Sequence, residues 1–271
     1  MDEFCLKNTR VIITGAAGLL GQQHALALAA KGARLDLVDI NTDGLKLVQK
    51  TLPSNIQSEI HYLDITQENE VKHFCQNLEA DLSHQQKLVL INNAAIDAKV
   101  DASGSKNLSR LENFDLGQWQ KELAVGLTGA MLCCKYVGHL MAQRGAGNII
   151  NIASDLGVIA PNQSLYSNED LPLGQQAVKP VTYSVIKHGL IGLTKYVATY
   201  WPTIVRCNAL APGGVKVEQP QAFIDKINKL IPMERMANID EYHGALQFLA
   251  SDASRYMNGQ VLVIDGGRCV W

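Results

Sequence analysis

Three residues carry the chemistry this sequence offers most directly. Tyr183 and Lys187, in YSVIK, stand four apart and share one face if the segment is helical. An ammonium beside a phenol favours the phenolate and lowers a pKa that starts at about 10. A general acid and base for an alcohol/ketone pair needs that near neutral pH. Spacing alone says little, because 8 Tyr and 16 Lys in 271 residues supply about 0.5 such pairs by chance. Tyr183 is nonetheless the only one of the eight with a Lys four residues on. Ser154 follows the apolar run GNIINIA and is placed to donate a hydrogen bond to a substrate oxygen. Taken alone, Ser154 reads more readily as a helix or turn cap.

These residues need a frame, and the stretch RVIITGAAGLLG, residues 10–21, supplies its start. A β-branched run ends on Thr14, glycines follow at 15, 18 and 21, and an apolar helical segment closes at Lys31 and Gly32. A strand that feeds a glycine turn and then a helix leaves the helix's first N–H groups and its dipole facing outward, a site for a pyrophosphate. Gly15 turns the chain off the strand, Gly18 lets backbone approach the phosphates, and Gly21 lets the helix pack on the sheet. The next apolar run, ARLDLVDI, ends at Asp39, 18 residues after Gly21. A carboxylate there accepts the hydroxyls of an adenosine ribose and predicts NAD rather than NADP. A 2′-phosphate about 4 Å from ionised Asp39 would cost roughly 4 kcal/mol at an effective dielectric of 20.

Beyond Asp39 the pattern keeps alternating. Helical segments are expected at 42–52, 67–82, 116–144, 183–201, 219–230 and 240–251, and strands at 58–63, 87–92, 147–153, 203–211 and 261–264. Short connections between them imply a parallel sheet covered on both faces. The long helix carries Leu116, Trp119, Leu123, Leu127, Met131, Cys134, Val137 and Met141 at steps of three and four, an apolar stripe for the core or for a second subunit. Residues 96–113 read as a polar surface excursion. Residues 155–179 form a long loop with Asn162, Gln163, Asn168, Glu169, Asp170, Gln175, Gln176 and Lys179. Following a strand's carboxyl end, it should lie over the ligand crevice and favour a polyhydroxylated or phosphorylated small molecule.

Composition sets the outer limits. With 271 residues, 47% hydrophobic and 18% charged, the chain is expected to form one domain over 1–271, without repeats, and with an inserted substrate loop at about 155–180. A net charge of −2 and a pI near 6.4 give no basic field for nucleic acid or a membrane surface. The start, MDEFCLKNTR, is too polar for a secretory signal, and no apolar run is expected to reach the roughly 18 residues of a membrane span. Six cysteines without CxxC spacing suggest reduced thiols in a cytoplasmic protein, and no metal site is expected.

TGAAGLLG, the acid ending the second strand, Asp64, NNAA at 92–95, Ser154, YxxxK at 183–187, PGGV at 212–215 and the terminal DGG together resemble the short-chain dehydrogenase/reductase family over almost the whole chain. The resemblance implies a Rossmann-type α/β fold, a doubly wound parallel sheet of about seven strands in the order 3-2-1-4-5-6-7. It implies Tyr183 as proton donor or acceptor, Lys187 as the group that lowers its pKa and holds the nicotinamide ribose, and Ser154 as the residue orienting substrate. Hydride then passes between a substrate carbon and NAD. It also implies cofactor contacts from Gly15, Gly18, Leu20 and Gly21 of the turn and from Asp39. Asp64 and Ile65 would meet the adenine, Asn92 and Ala94 the adenosine side, and Val215 the carboxamide. Details such as SDLGVIAPNQSLY and YSVIKHGLIGLTKYVATYW look most like a bacterial subgroup linked to flagellin modification and nonulosonic sugars. A homodimer or homotetramer through 116–144 and 183–201 is implied, with Trp271 at a subunit contact or beside the site.

The chain departs from the family pattern at four places. Leu19 stands at the second glycine of TGxxxGxG, NNAA replaces NNAG, and Val217 replaces a Thr. Gly126, seven residues after Trp119, stands where the family has an Asn that supports a proton relay. The leading expectation is an NAD-dependent oxidoreductase acting on a secondary alcohol or ketone, of a sugar or sugar-derived substrate. The alternatives are an NAD-binding protein with little turnover, kept as a regulatory or partner subunit, and a sugar epimerase or dehydratase. Gly126→Asn would discriminate the first two, since a large gain in turnover marks a degenerate site.

Overall fold

The computed structural model describes residues 2–83, 85–96, 107–168 and 170–271. Of the polar excursion expected at 96–113, residues 97–106 lie outside the described residues, as does Glu169 of the polar loop. Among the described residues, seven short runs become strands: β1 (Thr9–Thr14), β2 (Arg34–Asp39), β3 (Ser58–Tyr62), β4 (Lys87–Asn92), β5 (Gly147–Ile152), β6 (Val205–Pro212) and β7 (Val261–Ile264). They form one sheet in the order 3-2-1-4-5-6-7, and every neighbouring pair is parallel. This is the α/β Rossmann-type architecture that the alternating pattern calls for.

Each strand between the sheet edges must bury both faces, so its side chains divide between two cores. Val11, Ile13, Leu35, Leu37, Val89 and Ile91 face a core shared with α1 (Leu19–Ala29), α2 (Thr42–Thr51) and α8 (His243–Ala250). Ile12, Val38, Leu88 and Leu90 face the opposite core, built with α3 (Glu68–Ala80), α5 (Ala130–Gln143) and α6 (Val181–Tyr200). α4 (Leu116–Leu123) and α7 (Gln221–Asn228) lie outside these two main cores. Strand order reverses at β1, between β2 on one side and β4 on the other, and this opens a crevice at the carboxyl edge of the sheet.

The long helix is not the single continuous one that its apolar stripe predicts. It is interrupted by a π-helical stretch at Ala124–Gly129, which joins α4 to α5. The wider π turn accommodates an extra residue and rotates α5 relative to α4, so an evenly spaced stripe no longer shares one face. Leu116 and Met131 are 67% and 41% exposed, while Glu122, Gly126, Gly129 and Ala130 are buried. Contrary to expectation, the span Leu116–Gln143 is also long and apolar enough to cross a membrane, with a mean hydropathy of 1.3 in its best window. Half of that window is buried, and α5 packs on β4 and β5, so its apolarity is accounted for by the core.

Candidate active site

β1 enters its turn at Gly15, which has φ +65°, and a Cβ there would lie 2.6 Å from Ala94 Cα. At Gly21 a Cβ would lie 2.1 Å from the Gly15 carbonyl oxygen. Both positions therefore exclude any side chain, one to turn the chain and one to seat α1 against the strand. Gly18 precedes α1, whose first turn has neither a side-chain cap nor an acidic residue. Its N–H groups and positive dipole end are thus directed to whatever occupies the crevice.

That crevice has a volume of about 610 Å³, within the range of small-molecule and cofactor sites. Of the residues singled out from sequence, Gly15, Gly18, Leu20, Asp39, Ser154, Tyr183, Lys187 and Val215 line it. Gly21, Asp64, Ile65, Asn92 and Ala94 do not. Asp64 accepts from the Thr66 N–H and hydroxyl at 2.9 and 2.7 Å, and Ile65 is buried beneath Gly129. Asn92 points into the protein, where its amide donates to Asn151 Oδ1 at 2.8 Å, and Asn151 in turn donates to Thr194 Oγ1 at 2.8 Å. The ladder ties β4, β5 and α6 together. Its neighbour Asn93 lines the crevice instead and donates to the Thr14 and Gly15 carbonyls at 3.1 and 3.0 Å, as strand alternation requires. Ala94 donates its N–H to Thr14 Oγ1 at 3.2 Å, and Ala95 joins the lining.

Asp39 closes one end of the crevice. Its carboxylate accepts from the Ala17 N–H at 3.0 Å and the Asn41 N–H at 2.9 Å, which fixes it against the glycine turn. A carboxylate has about four acceptor positions, so two stay open to hydroxyl donors.

Ser154, Tyr183 and Lys187 gather at the other end. Pro180 ends the preceding loop and α6 begins at Val181, so Tyr183 and Lys187 lie one turn apart on the same face. Lys187 is 7% exposed, donates to the Ile152 carbonyl at 2.8 Å, and holds Nζ 5.8 Å from the Tyr183 ring centre. Lys179, from the loop, lies above the same ring at 3.8 Å. Ser154 accepts from the Leu156 N–H at 3.2 Å, the cap its sequence position allows, and donates to Asp155 Oδ1 at 2.8 Å. Leu156, Tyr166 and Lys179 carry the 155–179 segment into the crevice wall. Tyr166 leans on Phe223 of α7 with ring centres 5.7 Å apart.

Two groups at this site escape a reading of the sequence. Asp155 and Arg268 form a buried ion pair at 2.7 Å, with side chains 3% and 6% exposed, and so tie the tip of β5 to the segment after β7. Glu122 of α4 is 2% exposed and reaches the start of α6, where it accepts from the Thr182 hydroxyl. An Asp directly after Ser154 and an Arg after DGG were the available signals for the first pair, but they lie 113 residues apart. A separate cluster, Asp36, Glu59 and His61, brings its ligand atoms within 4.8 Å of one another. There the Arg10 guanidinium already holds both Asp36 oxygens, at 2.6 and 2.9 Å, so a cation occupies that position from within the protein.

A family profile described as "short chain dehydrogenase" matches residues 9–168, and one described as "Enoyl-(Acyl carrier protein) reductase" matches residues 174–268. The chain belongs to the short-chain dehydrogenase family. As a member it is an oxidoreductase on a Rossmann fold. It is similar to the D-threitol dehydrogenase of Mycolicibacterium smegmatis, 31% identical over 98% of this chain and 94% of the relative. It is also similar to the 2-dehydro-3-deoxy-D-gluconate 5-dehydrogenase of Bacillus subtilis, 30% identical over 98% and 96%. The structure of a gluconate 5-dehydrogenase from Burkholderia cenocepacia, in complex with NADP and tartrate, superposes with a TM-score of 0.84. It is 28% identical and covers 100% of this chain and 98% of that one.

Proposed function

We propose that this short-chain dehydrogenase interconverts a secondary alcohol and a ketone of a polyol, sugar or sugar acid, with NAD(H) as cofactor. The observation that carries the reading is that one crevice is lined both by the glycine turn with Asp39 and by Ser154, Tyr183 and Lys187. The relatives that act on threitol and on a gluconate derivative support the substrate class. The narrower likeness to flagellin-modification enzymes rests on the sequence stretches alone, and the polyol and sugar-acid reading is preferred to it.

Gly15, Gly18 and Leu20, with the uncapped start of α1, would hold the pyrophosphate, and Gly21 would hold that helix in place. Asp39 would take the ribose hydroxyls, Asn93 and Ala95 the adenosine side, and Val215 the carboxamide. The fit is physical: side chains are absent where phosphate oxygens must approach, and acceptor positions on Asp39 stay open. When bound, the nicotinamide supplies or accepts the hydride. In oxidation, Tyr183 Oη takes the proton of the substrate hydroxyl, and in reduction it returns it. Lys187, fixed by the Ile152 carbonyl, favours the phenolate form. Ser154 turns from Asp155 to the substrate oxygen and stabilises its charge. The 155–180 segment acts as the substrate loop, its Lys179 and polar residues suited to a hydroxyl-rich molecule. Six cysteines without a disulfide suit a reducing, cytoplasmic setting. The exposed apolar surface of Met131, Tyr196 and Tyr200 suits a homodimer or homotetramer.

NAD(H) preference is the point at which this reading differs from the NADP-bound neighbour. Titration with NADH and NADPH, read by cofactor fluorescence, should show NADH binding at least tenfold tighter in the wild type. Asp39→Ala should narrow that ratio, because the repulsion of a 2′-phosphate is removed. Equal affinities in the wild type would contradict the NAD assignment.

A further inference from the structure

The candidate site contains a buried acid that the proposed proton transfer does not use. Glu122 is 2% exposed, and both its oxygens are engaged: Oε1 accepts from Gln118 Nε2 at 2.5 Å and Oε2 from the Thr182 hydroxyl. Thr182 directly precedes Tyr183 in the first turn of α6. Glu122 also lines a second, small cavity of about 10 Å³ together with Lys179, Tyr183, Ile186 and Lys187. Such a volume holds about one water molecule. Glu122 therefore shares with Tyr183 and both lysines the wall of a space too small for bulk solvent.

An acid in this position does more than clip two helices together. Through so narrow a gap a charge is felt far more strongly than through water. We propose that Glu122 is a further ionisable member of the site, a positioning residue that opposes the lysines and raises the proton affinity of Tyr183. Among the described residues, the charged and titratable groups that share these two cavities with Tyr183 include Lys187 on its own helix, Lys179 from the loop, Glu122 from α4, and Asp155 with Arg268. Lys187 and Lys179 favour the phenolate, and Glu122 favours the phenol. Their balance keeps Tyr183 able to give a proton as well as take one, which a reversible alcohol/ketone interconversion requires. The inference rests on the dehydrogenase reading for its purpose, but its electrostatic content stands apart from turnover.

The test is the ultraviolet titration of Tyr183 as phenolate in the full-length protein, taken as the difference between each protein and its counterpart carrying Tyr183→Phe. Glu122→Gln keeps the shape and removes the charge, and its Tyr183 midpoint should fall by about one pH unit. Below the midpoint, that is a roughly tenfold rise in phenolate fraction and in the rate of alcohol oxidation. Glu122→Asp keeps the charge while shortening the reach to Thr182, and its midpoint should stay with the wild type. A residue that only held α6 would give the reverse, a disturbance in the Asp variant without a downward shift in the Gln variant. Identical midpoints in the wild type and Glu122→Gln overturn the proposal. Absence of turnover on every polyol and sugar acid would overturn the dehydrogenase reading, and the phenolate titration would still decide the role of Glu122.

Discussion

Several side chains here are settled by their surroundings rather than by their type. Ser154 caps a turn and lines the crevice at once, because Asp155 accepts the hydrogen bond of its hydroxyl and Arg268 holds Asp155. His24 on α1 is the converse case, a titratable group held away from charge. It is 2% exposed, its Nδ1 has no hydrogen-bond partner among the described residues, and burial, with His243 nearby, pushes its pKa down to about 3. An unfolded histidine titrates at about 6.5, so between pH 6.5 and 3 the unfolded chain binds the extra proton. Stability then falls as pH falls, by up to about 1.4 kcal/mol per pH unit. Asp36 contributes in a lower window: burial pushes its carboxyl up, but the Arg10 and His61 hydrogen bonds outweigh this and hold it below the usual range. Its share is present above its unfolded pKa of about 3.9 and is lost only as pH falls further. His24→Leu should therefore flatten the urea midpoint between pH 6.5 and 4 while keeping the drop below 4. Parallel pH profiles for wild type and variant would contradict this.

Among the elements, the joined helix α4–α5 departs most from its regular form. Its π stretch contains Gly126, where a Cβ would meet Ile186 Cγ2 of α6 at 2.8 Å. Gly129, at the end of the stretch, lies as close to Ile65, with 2.6 Å to its Cδ1. These glycines let α6 and the segment after β3 approach the helix closely. In sequence Gly126 reads as the loss of a useful asparagine, whereas in the fold its space belongs to Ile186. Gly126→Asn is accordingly expected to cost about 1–3 kcal/mol through overpacking, without a gain in turnover. Thermal unfolding and steady-state rates of the variant check this together. Full stability combined with a large gain in rate would mean that Ile186 yields and that the wild-type site is degenerate.

For the molecule as a whole, the elements were legible wherever periodicity and local chemistry coincide. RVIIT, KLVLIN and VLVI read as strands and become β1, β4 and β7. Pro180 and Pro202 bracket α6 in the sequence as in the fold. Features that depend on a rotation or on a distant partner stayed hidden in the sequence. A single π turn leaves no period of its own, so the stripe from Leu116 to Met141 seemed continuous. The two asparagines of NNAA look equivalent in sequence, yet strand alternation sends Asn92 inward to Asn151 and Asn93 to the crevice. Arg10, at the head of an apolar strand, gave no sign that Asp36 and Asp81 would neutralise it in the interior. Of the candidate site, the glycine turn, Asp39 and the Ser154, Tyr183 and Lys187 group could be read from motif and order. Glu122 and the pairing of Arg268 with Asp155 needed the fold, because each joins segments far apart in the chain.

The proposed activity depends on Tyr183 serving as the proton-transfer group of an NAD-dependent oxidoreductase. The most direct measurement is the formation of NADH by wild type and by Tyr183→Phe, with a panel of polyols and sugar acids. Turnover of at least one panel member is expected from the wild type, and a loss of at least about 100-fold in kcat, with NADH binding retained, from the variant. Equal rates in the two proteins, or no turnover of any panel member by a wild type that binds NADH tightly, would contradict that role.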